Sequence, residues 1–340
     1  MRVLLAGGAG YIGSHTAVQL IGAGHDVEIV DNFSNSKPEA VRQIQTITGA
    51  EVAVYEIDIR DRVAVSNLIA GRDYAAVVHF AAIKAVGESL AKPLEYYDHN
   101  MSVTFSLLSA MQEHGLHTLV FSSSATVYGD LVIPPFHEDQ RPLESASPYG
   151  QTKIMTERLL SDLAAADPPW RIAVLRYFNP VGAHPSGLIG EDPKGTPDNL
   201  VPFIAQVAVG RRDKLMIFGD DYETKDGTGE RDYIHVDDIA AGHLAALEAI
   251  VDGDPHVRTW NLGGGAGTSV FEMLHAFERA CGREIPFEIV ERRSGDVAAA
   301  WADPSRARAE LGWEVQRSLD EMCADAWRWQ SQNPDGYSAT

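Results

Sequence analysis

A short apolar run, Val3-Leu4-Leu5-Ala6, breaks into Gly7-Gly8-Ala9-Gly10-Tyr11-Ile12-Gly13, and the chain then takes helical spacing from Tyr11 to Ala23. No other stretch narrows the fold as much. A strand that turns through glycines straight into a helix is the opening unit of an open α/β sheet. Glycines at 7, 10 and 13 allow a tight turn, a close approach of backbone to a pyrophosphate, and packing of helix on strand. The helix N-terminus then aims free N–H groups at the phosphates. A tight turn with no ligand uses glycine too, so the surroundings carry the argument. A second strand, Asp26 to Val30, is closed by Asp31, about 20 residues beyond the glycines, where a carboxylate accepts adenosine ribose hydroxyls and repels a 2′-phosphate. That favours NAD over NADP. Asp58 stands after a third strand, where an adenine contact is expected; it reads equally as a cap ahead of Arg60-Asp61.

The alternation continues for about half the chain. Val52 to Ile59, Ala75 to Ala81, Thr118 to Ser122 and Arg171 to Tyr177 read as strands, the later ones as continuous apolar runs covered on both faces. Helices are expected at 38–47, 61–70, 93–114 and 149–165. Repeated β-α units predict a doubly wound parallel sheet. After Phe178 the pattern changes: 179–199 is rich in proline and glycine and reads as loop. Helices near 200–210, 237–250, 269–281 and 318–331 then mix with strands near 215–218, 257–262 and 286–290. At 340 residues the chain exceeds what one core usually serves. The expected class is α/β: a doubly wound parallel sheet over 1–178, joined by the strand and helix near 234–262, and a smaller mixed α/β lobe over 179–340.

A formal net charge of −20 sets the surface against a polyanion, so no nucleic-acid partner is expected. A small anionic substrate would need its own arginines inside a pocket. No apolar run approaches a membrane span, and Cys281 and Cys323 make no CxxC pair, so a cytoplasmic protein with no membrane partner is expected. The 12 histidines contain no HExxH, and no metal is expected. His79 reads as a core histidine. His235 and His243 lie on an expected helix, placed to share a face.

Tyr149-Gly-Gln-Thr-Lys153 puts a phenol and an ammonium on one helical face. Tyrosine titrates near 10 and is a poor base at neutral pH unless its anion is stabilised. A lysine one turn away, with a positive nicotinamide nearby, supplies that stabilisation. Upstream, Phe121-Ser-Ser-Ser124-Ala-Thr126-Val-Tyr-Gly129 falls at the C-terminal end of a strand, where open parallel sheets hold ligands. Ser124 or Thr126 there is placed to bridge a substrate hydroxyl and Tyr149.

These motifs, with GGAGYIGSHT, HFAAIKAVGES, KPLEYYDHN, SPYGQTK, LRYFNPVGAHPSG, FGDDYETKDGTGERDYIHVDD and WNLGGG, make the chain resemble the extended short-chain dehydrogenase/reductases. Within them it resembles the UDP-glucose 4-epimerase family. The resemblance implies a Rossmann-type NAD domain over 1–178 and a UDP-sugar domain over 179–340. It implies reversible 4-epimerisation of UDP-galactose and UDP-glucose through a 4-keto sugar, with NAD kept bound. Tyr149 would take the 4-hydroxyl proton, Lys153 would hold the cofactor ribose and lower the tyrosine pKa, and Ser124 would position or relay the proton. On the cofactor side the resemblance places Gly7, Gly10, Tyr11, Ile12, Gly13, Asp31, Asn32, Asn35, Ser36, Asp58, Ile59, Phe80, Ala81, Lys84, His99, Asn100, Tyr149, Lys153, Tyr177 and Phe178. On the substrate side it places Ser124, Ala125, Thr126, Phe178, Asn179, Asn199, Leu200, Met216, Phe218, Arg231, Tyr233, Arg293, Asp296 and Ala300.

Two departures matter. Where the family often carries asparagines, this chain reads His99-Asn100. Glucose-restricted members carry tyrosine where this chain has Ala300, so the small residue extends the expected substrates to UDP-N-acetylglucosamine and UDP-N-acetylgalactosamine. The family also implies a homodimer sealed by helices 93–114 and 149–165, where Leu107, Leu108, Met111, Ile154, Met155 and Leu159 spread over more than one face. Pentose and uronate 4-epimerases share the chemistry. A nucleotide-sugar 4,6-dehydratase shares fold, NAD and YxxxK, but commonly has an Asp-Glu pair where this chain reads Ser124-Ala-Thr126. A net dehydrogenase would exchange free NAD. A redox-sensing binding protein would dispense with the tyrosine or lysine retained here.

Overall fold

The computed structural model describes residues 1–129, 133–141, 143–167, 169–293 and 296–338. Six strands of the first half form where the apolar runs lie: β1 (Arg2–Ala6), β2 (Asp26–Asp31), β3 (Ala53–Glu56), β4 (Tyr74–His79), β5 (Thr118–Ser124) and β6 (Arg171–Tyr177). Between them run α1 (Tyr11–Gly22), α2 (Pro38–Thr48), α3 (Arg62–Ile69), α4 (Val86–Ala91), α5 (Pro93–Glu113) and α6 (Pro148–Ala166). The second half adds β7 (Asn179–Val181), α7 (Leu200–Ala208), β8 (Leu215–Phe218), β9 (Glu230–Arg231), β10 (Tyr233–His235), α8 (Val236–Val251) and β11 (His256–Leu262). It closes with β12 (Thr268–Ser269), α9 (Val270–Cys281), β13 (Phe287–Val290), β14 (Ala299–Ala300), α10 (Ser305–Leu311) and α11 (Leu319–Gln332).

The seven-stranded sheet has the order β11-β6-β5-β4-β1-β2-β3, and every pair in it is parallel. One face is covered by α1, α2 and α8 through Leu20, Ile44, Ile239 and Leu247; the other by α3, α5 and α6 through Leu68, Leu107 and Leu160. This is the Rossmann-type doubly wound arrangement. Because β5 is buried along its whole length, its apolar run is continuous rather than alternating. The chain leaves β3 at one edge and returns to β4 beside β1, so the strand order reverses at β1, and the crevice outside that point is where such sheets take ligands. The second lobe has its own core, with Ile204, Ile217, Met273, Phe277 and Met322 from α7, β8, α9 and α11.

Three expectations need correction. The third strand is shorter than Val52 to Ile59, because β3 is a largely exposed edge and the chain leaves the ladder at Ile57. The proline-rich 179–199 stretch holds a strand, β7, paired in parallel with β10; three residues are too few to show a period. His235 and His243 do not form a pair on one helix. His235 precedes α8, accepting Asp237 N–H, and faces Asp325, whereas His243 faces Ser122. Among the described residues no group of three or more His, Cys, Asp or Glu is placed to hold a metal, and no helix is long and apolar enough to cross a membrane.

Candidate active site

The glycine turn is built from the backbone up. Gly7 has φ of 79°, and a Cβ there would lie 2.7 Å from Ala81 N, so the β4 chain end can close against β1 only with glycine at this position. Gly10 precedes α1 with no side-chain cap, which leaves first-turn N–H groups facing outward at the positive end of the helix. Asp31 ends β2 with 7% exposure and knits the crevice rim, accepting Ala9 N–H at 3.1 Å, Phe33 N–H at 2.9 Å and the Ser36 hydroxyl at 2.8 Å. Phe33 is held left-handed, at φ 52°, in the loop that follows. Asn32 accepts Ser34 N–H in that loop, and Asn35 is exposed on it. Asp58 accepts both the backbone N–H and the guanidinium of Arg60, which pull its pKa down to about 2. The cap of α3 is Asp61 instead, so the capping alternative for Asp58 does not hold. Ile59 is buried beside it.

Tyr11 donates to Gly182 O at 2.7 Å, joining the glycine turn to the second lobe, while Ile12 packs on the core. Phe80 and Ala81 continue from β4, and the N–H of each reaches Ala6 O. Lys84 lies 3.4 Å from Glu191, which also accepts from Asn199 at 3.1 Å. Asn100 is fully engaged: it accepts Ile83 N–H at 2.9 Å and donates to Ile83 O and to Thr152, both at 3.1 Å. It ties the 80–85 loop to α6. His99 beside it is half-buried.

The chemical centre lies at the carboxyl edge of β5 and β6. Ser147 caps α6 by accepting Gly150 N–H, with Pro148 opening the helix, and this fixes Tyr149 in its first turn. Tyr149 is 7% exposed and stands near Ser124, the last residue of β5. Ser124 also accepts the Thr126 N–H at 3.2 Å and hydroxyl at 3.1 Å. Lys153 Nζ donates to Ser122 O at 2.8 Å and stands 5.8 Å from the centre of the Tyr149 ring. The electrostatics differ from the expectation of a lysine-lowered phenol. Burial pushes Tyr149 up to about 12, against which the Ser124 bond pulls downward. Burial pulls Lys153 down to about 8, and Glu157 one turn on opposes that. Lys153 gives one N–H to a backbone carbonyl, and Ser124 is the neighbour that pulls the Tyr149 pKa downward.

Most of the remaining candidates lie in the second lobe. Phe178 packs with Tyr128 and Phe136, and Ala125 and Ala300 border the same cluster. Asn179 opens β7; Asn199 and Leu200 begin α7; Met216 and Phe218 lie on β8. Arg293 lies over the Phe218 ring at 3.9 Å, and Arg231 pairs with Asp296. Ala300 is the register partner of Arg231 in the β14–β9 ladder, and Tyr233 begins β10. A nucleoside diphosphate in an acidic protein requires cationic groups, and Arg231 and Arg293 are the arginines among these candidates. The sequence did not point to Asp232. It is fully buried and accepts N–H groups of Gly264, Gly265 and Ala302 at 2.7, 3.1 and 3.0 Å, with its pKa pushed up to about 6 by burial. Its one signal was its place inside the GERDYIHVDD segment.

Residues 3–263 match the NAD dependent epimerase/dehydratase family. The chain belongs to that family. A UDP-glucose 4-epimerase of Bacillus subtilis (strain 168) is 54% identical over 339 residues, covering 100% of this chain and 99% of the relative. The crystal structure of UDP-glucose 4-epimerase from Bifidobacterium longum in complex with NAD+ and UDP superposes with a TM-score of 0.95 at 48% identity, over 99% of this chain and 100% of that one. The UDP-Glc/GlcNAc 4-epimerase of Campylobacter jejuni gives 0.84 at 36% identity, over 97% and 99%. NAD is the cofactor of this family member, and its own residues fit it. A Cβ at Gly7 or Gly13 would fill the turn that a pyrophosphate approaches, the α1 N-terminus is uncapped, and Asp31 closes the ribose side.

Proposed function

We propose that the protein interconverts UDP-galactose and UDP-glucose by inversion at C4 of the hexose. The convergence of Tyr149, Ser124 and Lys153 at the edge of β5 carries this reading. The chemistry that bound NAD supplies is reversible uptake of the hydride from the sugar C4. Tyr149 removes the proton of the 4-hydroxyl and returns one to the other face after the 4-keto sugar turns in the pocket. Ser124 bonds the phenolic oxygen and passes or steadies the hydroxyl proton; Thr126 keeps Ser124 in place. Lys153, anchored on Ser122, has two further N–H groups for the cofactor ribose. Asp31, Asp58, the glycine turn, Phe80, Ala81, Lys84 and Tyr177 line the cofactor. Residues 1–178 with 234–262 form its domain. Arg231 and Arg293 clamp the diphosphate, and Asn179, Asn199, Leu200, Phe218, Tyr233 and Ala300 enclose the rest of the UDP-sugar. The small Ala300 leaves room for an N-acetyl group at C2, so UDP-N-acetylglucosamine is turned over as well.

A homodimer is part of the proposal, with a face that keeps Met155 but not Leu107, Leu108 or Met111 of the residues the periodicity suggested. Leu107, Leu108 and Met111 are buried in the chain's own core. The large apolar residues left exposed on α4, α5 and α6 are Val86, Leu90, Leu94, Phe105 and Met155, with 41, 61, 83, 50 and 44% exposure. Both cysteines are free thiols, in keeping with a cytoplasmic setting. The test is incubation of the purified protein with UDP-galactose, following sugar products and the near-ultraviolet band of the reduced cofactor. Formation of UDP-glucose with no free NAD added supports the reading; net oxidation that consumes free NAD would overturn it.

A further inference from the structure

Asn261 is fully buried on β11, the edge strand of the seven-stranded sheet. Its amide group faces the carbonyl oxygen of Phe136 at 2.7 Å and the hydroxyl of Tyr128 at 2.6 Å. A carbonyl only accepts, so the amide nitrogen donates to Phe136, and the amide oxygen is left to accept from Tyr128. Tyr128 gives its proton to that oxygen while its own oxygen accepts an N–H of Arg176 at 3.0 Å. Arg176 is held in turn by Glu157 on α6, one turn beyond Lys153. The hydrogen bonds therefore run in one direction from Arg176, itself anchored on the helix of Tyr149, through Tyr128 and Asn261 to Phe136. The backbone N–H of Asn261 adds a second hold on the same loop, donating to the Glu138 carboxylate at 2.8 Å.

Phe136 joins these bonds to the segment that carries residue 300. It donates to Trp301 O and accepts Asp303 N–H, both at 2.8 Å, and bridges Ala302 in parallel. Its ring centre lies 5.1 Å from that of Tyr128 and 5.9 Å from that of Phe178. Ala300 and Ala125, the neighbour of Ser124, both pack on this cluster. We infer that Asn261 is a positioning residue that sets substrate width: by holding Phe136 on Tyr128 it makes the cluster beside residue 300 unyielding, so the side chain at 300 decides what fits at the sugar C2. The inference rests on the reading of Ala300 as the residue beside that carbon. Close-packed surroundings resist an added side chain only as far as they are themselves held. A released Phe136 would turn aside and let a larger residue at 300 withdraw from the sugar.

The test compares kcat/KM for UDP-N-acetylglucosamine with kcat/KM for UDP-galactose, both measured on the holoenzyme. Ala300→Tyr alone lowers that ratio at least about tenfold. Asn261→Leu keeps the bulk of the side chain but neither its donor nor its acceptor. Added to Ala300→Tyr, it raises the ratio again by at least about threefold, as release of one buried hydrogen bond allows. Tyr128→Phe keeps the ring and cuts the chain one bond earlier; in the Ala300→Tyr background it raises the ratio in the same way even if Asn261→Leu does not fold. Ile44→Val loosens the core on α2, outside the Phe136 cluster, and leaves the ratio of Ala300→Tyr where it was. A merely structural asparagine would lower both activities together. A ratio that stays low with Asn261→Leu and with Tyr128→Phe, or that rises equally with Ile44→Val, overturns the inference. An unchanged ratio in Ala300→Tyr alone removes the underlying reading, and the inference with it.

Discussion

The ammonium of Lys153 lies 2.8 Å from the backbone carbonyl oxygen of Ser122, two residues before Ser124, which pulls the Tyr149 pKa downward. One strand therefore fixes both groups that attend the phenol, and β5 and α6 act as a single unit. Below this contact, Glu157 and Arg176 form a buried ion pair at 2.6 Å, and Ser123 donates to the same carboxylate at 2.6 Å. The helix that carries Tyr149 and Lys153 is thereby registered on β5 and β6 at successive turns.

Removing one partner of that pair is expected to cost more than removing both. Arg176→Met leaves a buried carboxylate unpaired and should lower the unfolding free energy by about 3–5 kcal/mol. Arg176→Met with Glu157→Leu should recover much of that loss. Urea denaturation of the four proteins of this cycle measures it, and additive losses would mean that the pair does not couple α6 to β6.

Acid should weaken the fold through three buried histidines. Burial pulls His15 and His79 down to about 3 and His243 to about 4, while in the unfolded chain they titrate near 6.5. The folded state binds fewer protons, so their contribution is complete above about pH 6.5 and is lost as pH falls toward 3–4. Asp232 works in the opposite sense: raised to about 6 by burial, it gains stability on protonation as pH falls through that value. Burial also raises Glu138, Asp237 and Asp238, which side with Asp232, and lowers His99 and His184, which side with the other histidines; the deep shifts of His15, His79 and His243 leave a net loss. The urea midpoint should fall steadily from pH 6.5 to 4.5; a constant or rising midpoint contradicts this balance.

Gly7→Ala tests the cofactor turn. Its φ is 79° and the new Cβ would lie 2.7 Å from Ala81 N, so strain and collision act together. Bound NAD per protein after purification should drop about tenfold or more, on a left-handed cost of roughly 1–2 kcal/mol plus the collision. Gly24→Ala is the control, because its φ is 84° but nothing lies within 4 Å. Equal NAD content in both variants would remove the cradle from the account.

Much of this site was legible before any coordinates. Glycine spacing, an aspartate at the next strand end, and a tyrosine and lysine one helical turn apart are local patterns with a local physical meaning. What remained hidden depends on partners distant in sequence. Asp232 joins Gly264, Gly265 and Ala302 through backbone N–H groups, and no side-chain pattern marks a backbone donor. Ser122 serves Lys153 through its carbonyl, which every residue possesses. Strands such as β9, β12 and β14 span two residues each, too short to show alternation. His243 is expected from sequence to share a helical face with His235, and only the fold shows its partner, Ser122 on β5.

Ala300→Tyr tests substrate width. Ala300 borders the Phe136–Phe178 cluster and faces Arg231 across the ladder, so a phenol there takes up the space beside the sugar. Turnover of UDP-N-acetylglucosamine should fall at least about tenfold, as a few kcal/mol of overpacking imposes, while UDP-galactose turnover changes much less. Competition assays with both sugars read this directly, and equal losses would assign the alanine no part in selection.

The most direct measurement is kcat of Tyr149→Phe on UDP-galactose, with bound NAD and unfolding midpoint determined on the same preparation. Loss of the phenolic oxygen should lower kcat by about 10²–10⁴, the range of a positioned acid–base group, while NAD content and fold stay as in the wild type. A variant that keeps its cofactor and turns over within threefold of the wild-type rate would contradict the assignment of Tyr149 as the base.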